Sequence, residues 1–148
     1  MQMAKWIIAA LVLFLTACGD QAENNSVNQD VTTNYGWGYG YDERDPETGL
    51  RVRYDTSTTS WRPALSELVA RYKAVMQCTG LTAGGPLVVI TANLPAGIGG
   101  YHYADTGTIA IIDIYGYQHE GVHYLLQQTG FPREDNNKHR SQLFDCSY

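Results

Sequence analysis

The stretch "TIAIIDIYGYQHEGVHYLLQQTGFP", residues 108–132, decides the fold of this chain. Its first part is an apolar, β-branched run, which predicts a strand at Thr108–Ile114. The second part predicts a helix. Gly130 would end that helix in the left-handed conformation, and Pro132 cannot continue it. We therefore expect a strand that leads directly into a helix at the centre of the domain.

A second amphipathic helix is predicted upstream, in "PALSELVARYKAVMQC", residues 63–78. Its apolar residues recur at spacings of three and four. Pro63 suits the first turn, Ser60 or Arg62 occupies the expected cap position, and Gly80 follows the last turn as a stop. We expect this helix to back the sheet.

Three other segments predict strands. "GPLVVITAN", residues 85–93, is a buried run, and Gly100–Tyr103 forms a hairpin with the strand of residues 108–114. "LRVRYD", residues 50–55, follows the turn signal "DPETGL". The tail after the second helix is predicted to be rich in loops. The fold class is therefore α+β, a small mixed sheet with a backing helix and a second helix after the hairpin.

An aromatic segment, "YGWGYGYDERDPETGLRVRYD", precedes these elements. Tyr35, Trp37, Tyr39 and Tyr41 alternate with glycine in a period-two pattern, which is typical of extended chain. We interpret the segment as an irregular hairpin that packs on the domain. The alternative interpretation is an aromatic surface that binds glycans or peptides.

The N-terminus predicts an export signal. Lys5 precedes ten apolar residues, which are too few for a membrane-spanning helix. "LTAC" ends this segment and resembles a bacterial lipobox, which implies cleavage before Cys18 and lipidation of that cysteine; an ordinary signal peptide cut nearby is the alternative. We thus divide the chain into a signal peptide (1–17), a flexible polar tether (18–34) and one domain (35–148).

The two other cysteines, Cys78 and Cys146, form an even pair in an exported chain. Such a pair most simply forms one disulfide, which would tie the end of the first helix to the C-terminus. The alternative is two buried free thiols.

The predicted helix of residues 117–126 contains the candidate metal ligands and a candidate catalytic base. His119 and His123 are four residues apart, so both rings lie on one helix face and can hold one metal ion. Glu120 lies about 100° around the helix, from where it can act as general base on a zinc-activated water. This is the H-E-x-x-H pattern of zinc metalloproteases. Gly121 makes this helix less stable by roughly 0.5–1 kcal/mol than alanine would. We interpret its presence as a need for close approach of another backbone or of substrate at that turn.

These residues resemble those of the zincin metallopeptidases, and in particular of small bacterial lipoproteins of that type. The resemblance rests on "HEGVHYLLQQTG" and "NNKHRSQLFDC" and covers roughly residues 61–146. It implies a minimal zincin-like fold and an extended substrate along an edge strand. The longer metzincin extension does not follow His123.

A third zinc ligand is needed, because catalytic zinc takes three protein ligands and leaves one position open. His139 fits the small-lipoprotein pattern best and would complete a three-histidine site. Glu134, Asp135 and His102 are the alternatives, and Asp135 could instead orient a ligand.

Tyr101, His102 and Tyr103 lie on the first arm of the predicted hairpin. From there they could reach over the cleft to bind substrate or stabilise an oxyanion. The alternative is that they are ordinary exposed hairpin residues.

The sequence thus predicts a lipid-anchored, monomeric zinc metallopeptidase in the cell envelope, on the periplasmic or extracellular side. Its substrate would be a peptide or protein, with cell-wall peptide as a further option. The alternative is a surface-anchored module that binds a glycan or protein, with structural zinc or none. The net charge of −5 and the lack of a basic stripe disfavour nucleic acid as a partner.

Overall fold

The computed structural model describes residues 40–147. The predicted signal peptide (1–17), the tether (18–34) with its Cys18, and residues 35–39 of the aromatic segment lie outside this range. The described elements, in chain order, are β1 (Glu43–Arg44), β2 (Arg51–Tyr54), α1 (Leu65–Thr79), β3 (Leu87–Ile90), β4 (Gly100–Tyr103), β5 (Thr108–Ile111), α2 (Ile114–Gln128), α3 (Arg133–Asn137) and a 3-10 helix (Gln142–Ser147).

The five strands form one mixed sheet in the order β1-β2-β3-β5-β4. The three inner strands run parallel to one another. Each outer strand is antiparallel to its neighbour, as in the two predicted hairpins. The predicted α+β class with a small mixed sheet is therefore confirmed.

Two apolar clusters lie on opposite faces of this sheet, because side chains alternate along each strand. The larger cluster joins Val52, Val88 and Ile109 to side chains of α1, α2 and the 3-10 helix. The smaller one, which we call the second-face cluster, contains Leu87, Val89, Tyr103 and Ala110. Both long helices thus pack on the same face. None of the helices described in residues 40–147 is long and apolar enough to cross a membrane.

Helix α2 begins earlier than the sequence suggested. The predicted strand Thr108–Ile114 is wrong at its end, since β5 stops at Ile111 and Ile114 is already helical. The cause is Asp113, whose carboxylate accepts hydrogen bonds from the backbone N–H groups of Tyr115 and Gly116. An aspartate in this position satisfies helix donors that otherwise lack partners. Gly130, with φ of 79°, follows the helix as predicted.

The start of α1 also differs from the prediction. The helix begins at Leu65, Ala64 occupies the cap position, and no side chain caps it. Pro63 therefore precedes the first turn, and neither Ser60 nor Arg62 is the cap. The carbonyl of Pro63 instead accepts a hydrogen bond from the Tyr54 hydroxyl at 2.9 Å. Gly80, with φ of 69°, ends the helix as predicted.

The C-terminal tail contains more regular structure than expected, since α3 and the 3-10 helix occupy much of it. The predicted disulfide is confirmed: Cys78 in the last turn of α1 is bonded to Cys146 in the 3-10 helix, with their Cα atoms 5.7 Å apart. The bond spans 68 positions of sequence. It therefore holds the tail against the helix face of the domain.

Candidate metal centre

Two of the histidines that could hold a metal belong to the middle of α2. His119 and His123 lie one turn apart, with ring centroids separated by 5.0 Å. Their helix packs along β4 and β5, which fixes the position of its backbone. The spacing of four residues therefore places both rings on one face of the helix, as predicted from the sequence.

The tail adds His139 to this pair. Its Nε2 atom lies 3.2 Å from Nε2 of His119 and 3.1 Å from Nε2 of His123. The three candidate ligand atoms all lie within 4.8 Å of one another. His139 has a φ of 51°, which is uncommon for a residue with a side chain. This local backbone strain accompanies the turn that brings its ring back to α2.

The donor set and spacing fit a zinc ion. Four-coordinate zinc with Zn–N bonds of about 2.0–2.1 Å separates its ligand nitrogens by about 3.3–3.4 Å, close to the two distances measured here. Burial, with the neighbouring His139, lowers the pKa of His119 to about 4. Burial, with the neighbouring His119, lowers that of His123 to about 3. Both rings are therefore neutral at pH 7, and a neutral imidazole has the lone pair that a metal needs.

Asn136 sets the orientation of His123. Its side-chain oxygen lies 2.9 Å from His123 Nδ1, and its amide nitrogen donates to the His123 carbonyl at 2.9 Å. The second bond fixes which way the amide faces, so the first must use a proton on Nδ1. Nε2 of His123 is then left unprotonated and turned toward the other two histidines. The role of Asn136 could not be predicted from the sequence, because a buried asparagine in a short tail helix gives no periodic signal.

Neither acidic alternative for the third ligand lies in the cluster. Glu134 forms an ion pair with Lys138 at 2.6 Å, and Asp135 forms one with Arg140 at 2.7 Å. Asp135 therefore does not orient a ligand in the way that the sequence suggested; its neighbour Asn136 does so.

An aromatic side chain supports the three rings. Phe144 lies in the 3-10 helix, two residues before the disulfide cysteine Cys146. Its ring centroid is 5.5 Å from that of His119, 4.7 Å from that of His123 and 4.6 Å from that of His139. Phe144 is itself buried in the larger apolar cluster. Its position therefore couples the three histidines to the core.

Glu120 lies on the side of α2 that faces β4. Burial raises its pKa to about 8, although a hydrogen bond from the His102 backbone opposes this shift. The approach to β4 is close: a Cβ on Gly100 would lie 2.8 Å from Cγ of Glu120, and one on Gly116 would lie 2.5 Å from the Gly99 carbonyl oxygen. Because Gly100 and Gly116 have no side chains, β4 can approach α2 closely enough to cover the Glu120 carboxyl group.

Gly121 has a different environment from the one we expected. A Cβ on it would meet the Val75 side chain of α1 at 3.9 Å, an ordinary van der Waals distance. The expectation that this glycine permits close approach of another backbone was therefore wrong. Gly116 and Gly100 are the positions where strand and helix need glycine.

The three β4 residues named from the sequence have three different positions. Tyr101 is 38% exposed, whereas Tyr103 is buried in the second-face cluster. His102 points toward α2, with its ring stacked on His123 at a centroid distance of 6.4 Å. Burial lowers the His102 pKa to about 4. His102 is not part of the three-histidine cluster, and only Tyr101 offers an exposed phenol.

Comparison with known proteins adds no further assignment. A scan against protein-family models, a search of curated proteins and a search of solved structures each found no match.

Proposed function

We propose that this chain is a zinc-dependent metallopeptidase, held in the cell envelope by a lipid on Cys18. The observation that carries the proposal is the convergence of three imidazole Nε2 atoms beside a helix that also supplies a buried glutamate. Three histidine ligands leave one tetrahedral position of a zinc ion for water or substrate. A structural zinc site would have four protein ligands.

His119, His123 and His139 would hold the ion, and Asn136 would keep His123 in the tautomer that binds it. Bound zinc would supply Lewis acidity, which polarises a substrate carbonyl and makes water more acidic. Phe144 limits water on one side of the three rings, because it is buried against all of them.

Glu120 would move the proton. As general base it would accept one from the attacking water, and it would then pass that proton to the leaving amine. Burial raises the pKa of the Glu120 carboxyl group to about 8 in the metal-free chain, and the charge of a bound zinc ion would oppose that shift. The His102 backbone hydrogen bond holds the carboxyl group in place under β4.

The substrate would bind along β4. This strand is the outer member of the sheet beside α2, so it pairs with β5 on one side only among the described strands. An extended peptide can add to such an edge through main-chain hydrogen bonds. Tyr101 is exposed on this strand and would contact the peptide.

The test is a comparison of wild type with Glu120→Gln. We expect the purified chain to contain about one zinc ion, as three-histidine sites do, and to cleave members of an unbiased peptide library. Glu120→Gln should retain the zinc and lose about 10²–10⁴-fold in peptidase rate, the usual contribution of a general acid–base.

Glu67→Gln is the matched control, since Glu67 is an exposed residue of α1 paired with Arg71. It should keep both zinc and activity. Full activity in the Glu120→Gln protein would refute the assigned mechanism. Zinc without any peptidase activity in wild type would instead favour the binding module.

A further inference from the structure

Two arginines face each other on the hairpin of β1 and β2. Arg44 of β1 is directly opposite Arg51 of β2 in the antiparallel register. Side chains in this relation lie on the same face of the sheet, with Cβ atoms about 4.5–5.5 Å apart, and like charges placed in this way destabilise the pairing. Within residues 40–147, neither guanidinium group has an ion-pair partner. The hairpin thus holds two positive charges close together without a counter-charge from the described chain.

The acidic side chains of the same hairpin do not supply that counter-charge, because each of them is bound elsewhere. Their partners are the Tyr54 backbone N–H for Asp42, the Tyr54 hydroxyl for Glu43, Thr48 for Asp45 and Lys73 for Glu47. An anion that neutralises the two arginines must therefore come from outside this hairpin.

Both arginines line a cavity of about 350 Å³ at this edge of the sheet. Tyr41 lines the same cavity and is 47% exposed, so it offers a phenol hydroxyl to a ligand. Gly84 and Gly85 form part of the remaining wall. Glycine is required at Gly85, because a Cβ there would lie 2.3 Å from the Leu50 backbone nitrogen. The volume lies in the range of about 300–1,000 Å³ that is typical of small-molecule sites.

We propose that this cavity binds a small phosphate monoester, with the phosphate group between Arg44 and Arg51 and in contact with the Tyr41 hydroxyl. Arginine binds phosphate oxygens through two parallel N–H groups. A phosphate monoester carries a charge of about −1.5 to −2 at pH 7, which matches two guanidinium groups, whereas a carboxylate matches only one. The organic part of the ester lies along Gly84 and Gly85.

This phosphate site is separate from the candidate metal centre. β1 and β2 lie at one edge of the sheet, whereas β4, on which α2 packs, lies at the other. Neighbouring strands are about 4.7–4.9 Å apart, so the three steps from β2 to β4 span roughly 14–15 Å. The inference therefore does not depend on the proposed peptidase activity.

Isothermal titration of the full chain with glycerol 3-phosphate, inorganic phosphate and acetate tests the proposal. We expect glycerol 3-phosphate to bind most tightly, because it has both the dianionic group and an organic part. Acetate should bind most weakly, since it has a single charge. Tighter binding of inorganic phosphate than of the ester would overturn the assignment of an ester. Acetate binding as tight as that of the ester, or no binding of either phosphate, would overturn the proposal.

A substitution at the arginine pair locates the binding. Arg44→Gln should weaken the binding of glycerol 3-phosphate by about 10–100-fold, because it removes hydrogen bonds between charged groups. Arg133→Gln is the matched control, since it removes the same charge from an arginine that pairs with Asp105 beside β4. This control should bind the ester as wild type does. Equal affinity of Arg44→Gln and wild type would place the ester elsewhere and overturn the proposal.

Thermal unfolding provides a second measurement of the same pair. Arg44 is exposed, and its replacement by glutamine relieves the repulsion with Arg51. Without ligand, the melting temperature of Arg44→Gln should therefore be equal to or above that of wild type. Glycerol 3-phosphate should raise the melting temperature of wild type and have little effect on the variant. An equal rise in both proteins would contradict the proposal.

Discussion

The candidate metal centre has two halves that are built in different ways. The helical half, His119, Glu120 and His123, depends on the periodicity of α2 and on close packing against β4. The tail half, Asn136, His139 and Phe144, lies in short elements held to the domain by the Cys78–Cys146 bond. A long helix specifies its residues by local spacing, whereas the tail needs long-range contacts to bring its residues into place.

This difference suggests where the site is vulnerable. The helical half should keep its geometry when a single side chain is lost. The tail half should lose its position when any of its attachments is removed. Four predictions test that contrast.

The largest effect is expected for His139→Ala. Two histidines on α2 cannot hold zinc as three do, so stoichiometric zinc binding should disappear, with more than the ~10–100-fold loss typical of an outer-sphere substitution. His102→Ala is the control, because His102 is a nearby, partly buried histidine outside the cluster, and this variant should still bind zinc. Isothermal titration with zinc measures both. Loss of binding in His102→Ala alone would move the site to β4.

The disulfide should contribute next. Replacing Cys78 and Cys146 together by alanine removes a cross-link of 68 positions, for which loop entropy gives about 4 kcal/mol of the free energy of unfolding. Urea denaturation measures this loss. Zinc affinity should fall in parallel, since Cys146 lies in the same 3-10 helix as Phe144. Unchanged zinc affinity in a folded double variant would mean that the tail is positioned without the bond.

A smaller effect is expected for Asn136→Ala. It removes the partner of His123 Nδ1, so zinc affinity should fall by about 10–100-fold while the site remains. Asp135→Asn is the matched control, because its carboxylate pairs with Arg140 and does not contact the cluster. Competition with a zinc chelator measures the two affinities. Equal losses in the two variants would contradict the role of Asn136.

The smallest effect is expected at Gly121, one of the two glycines of α2. Gly121→Ala should raise the free energy of unfolding by about 0.5–1 kcal/mol, since the added methyl group has room beside Val75. Gly116→Ala should lower it by about 1–3 kcal/mol, because its methyl group would collide with the Gly99 carbonyl. Thermal unfolding of both variants measures whether each substitution raises or lowers the free energy of unfolding. Stabilisation by Gly116→Ala would show that α2 and β4 can separate at little cost.

Much of the fold could be predicted from the sequence, because its strongest elements have clear periodicity. The patterns located helices α1 and α2, strand β3 and the β4–β5 hairpin, although the starts of both helices and the end of β5 differ from the prediction. The strand order was not predicted, since apolar runs such as Leu87–Ile90 do not specify their neighbours. The end of β5 was misplaced because Ile112 and Ile114 extend the apolar pattern past Asp113, the residue that starts the helix.

The candidate site was also predictable only where local sequence patterns specify it. The spacing of His119 and His123 was sufficient for the helical half, and counting cysteines was sufficient for the disulfide. The roles of Asn136 and Phe144 could not be predicted, because they depend on burial against residues distant in sequence. The left-handed backbone of His139 was equally unpredictable, since non-glycine residues adopt it only in particular tertiary settings.

The position of the disulfide has a thermodynamic consequence for metal linkage. All three histidines lie between Cys78 and Cys146, so they belong to one covalent ring even when the oxidised chain is unfolded. That ring raises the concentration of each imidazole around the others, and the unfolded chain should therefore keep some affinity for zinc. Binding to the unfolded state reduces the stabilisation that a ligand gives to the folded state. If zinc binds as proposed, the rise of the melting temperature with zinc would therefore understate the affinity of the folded site in the oxidised protein.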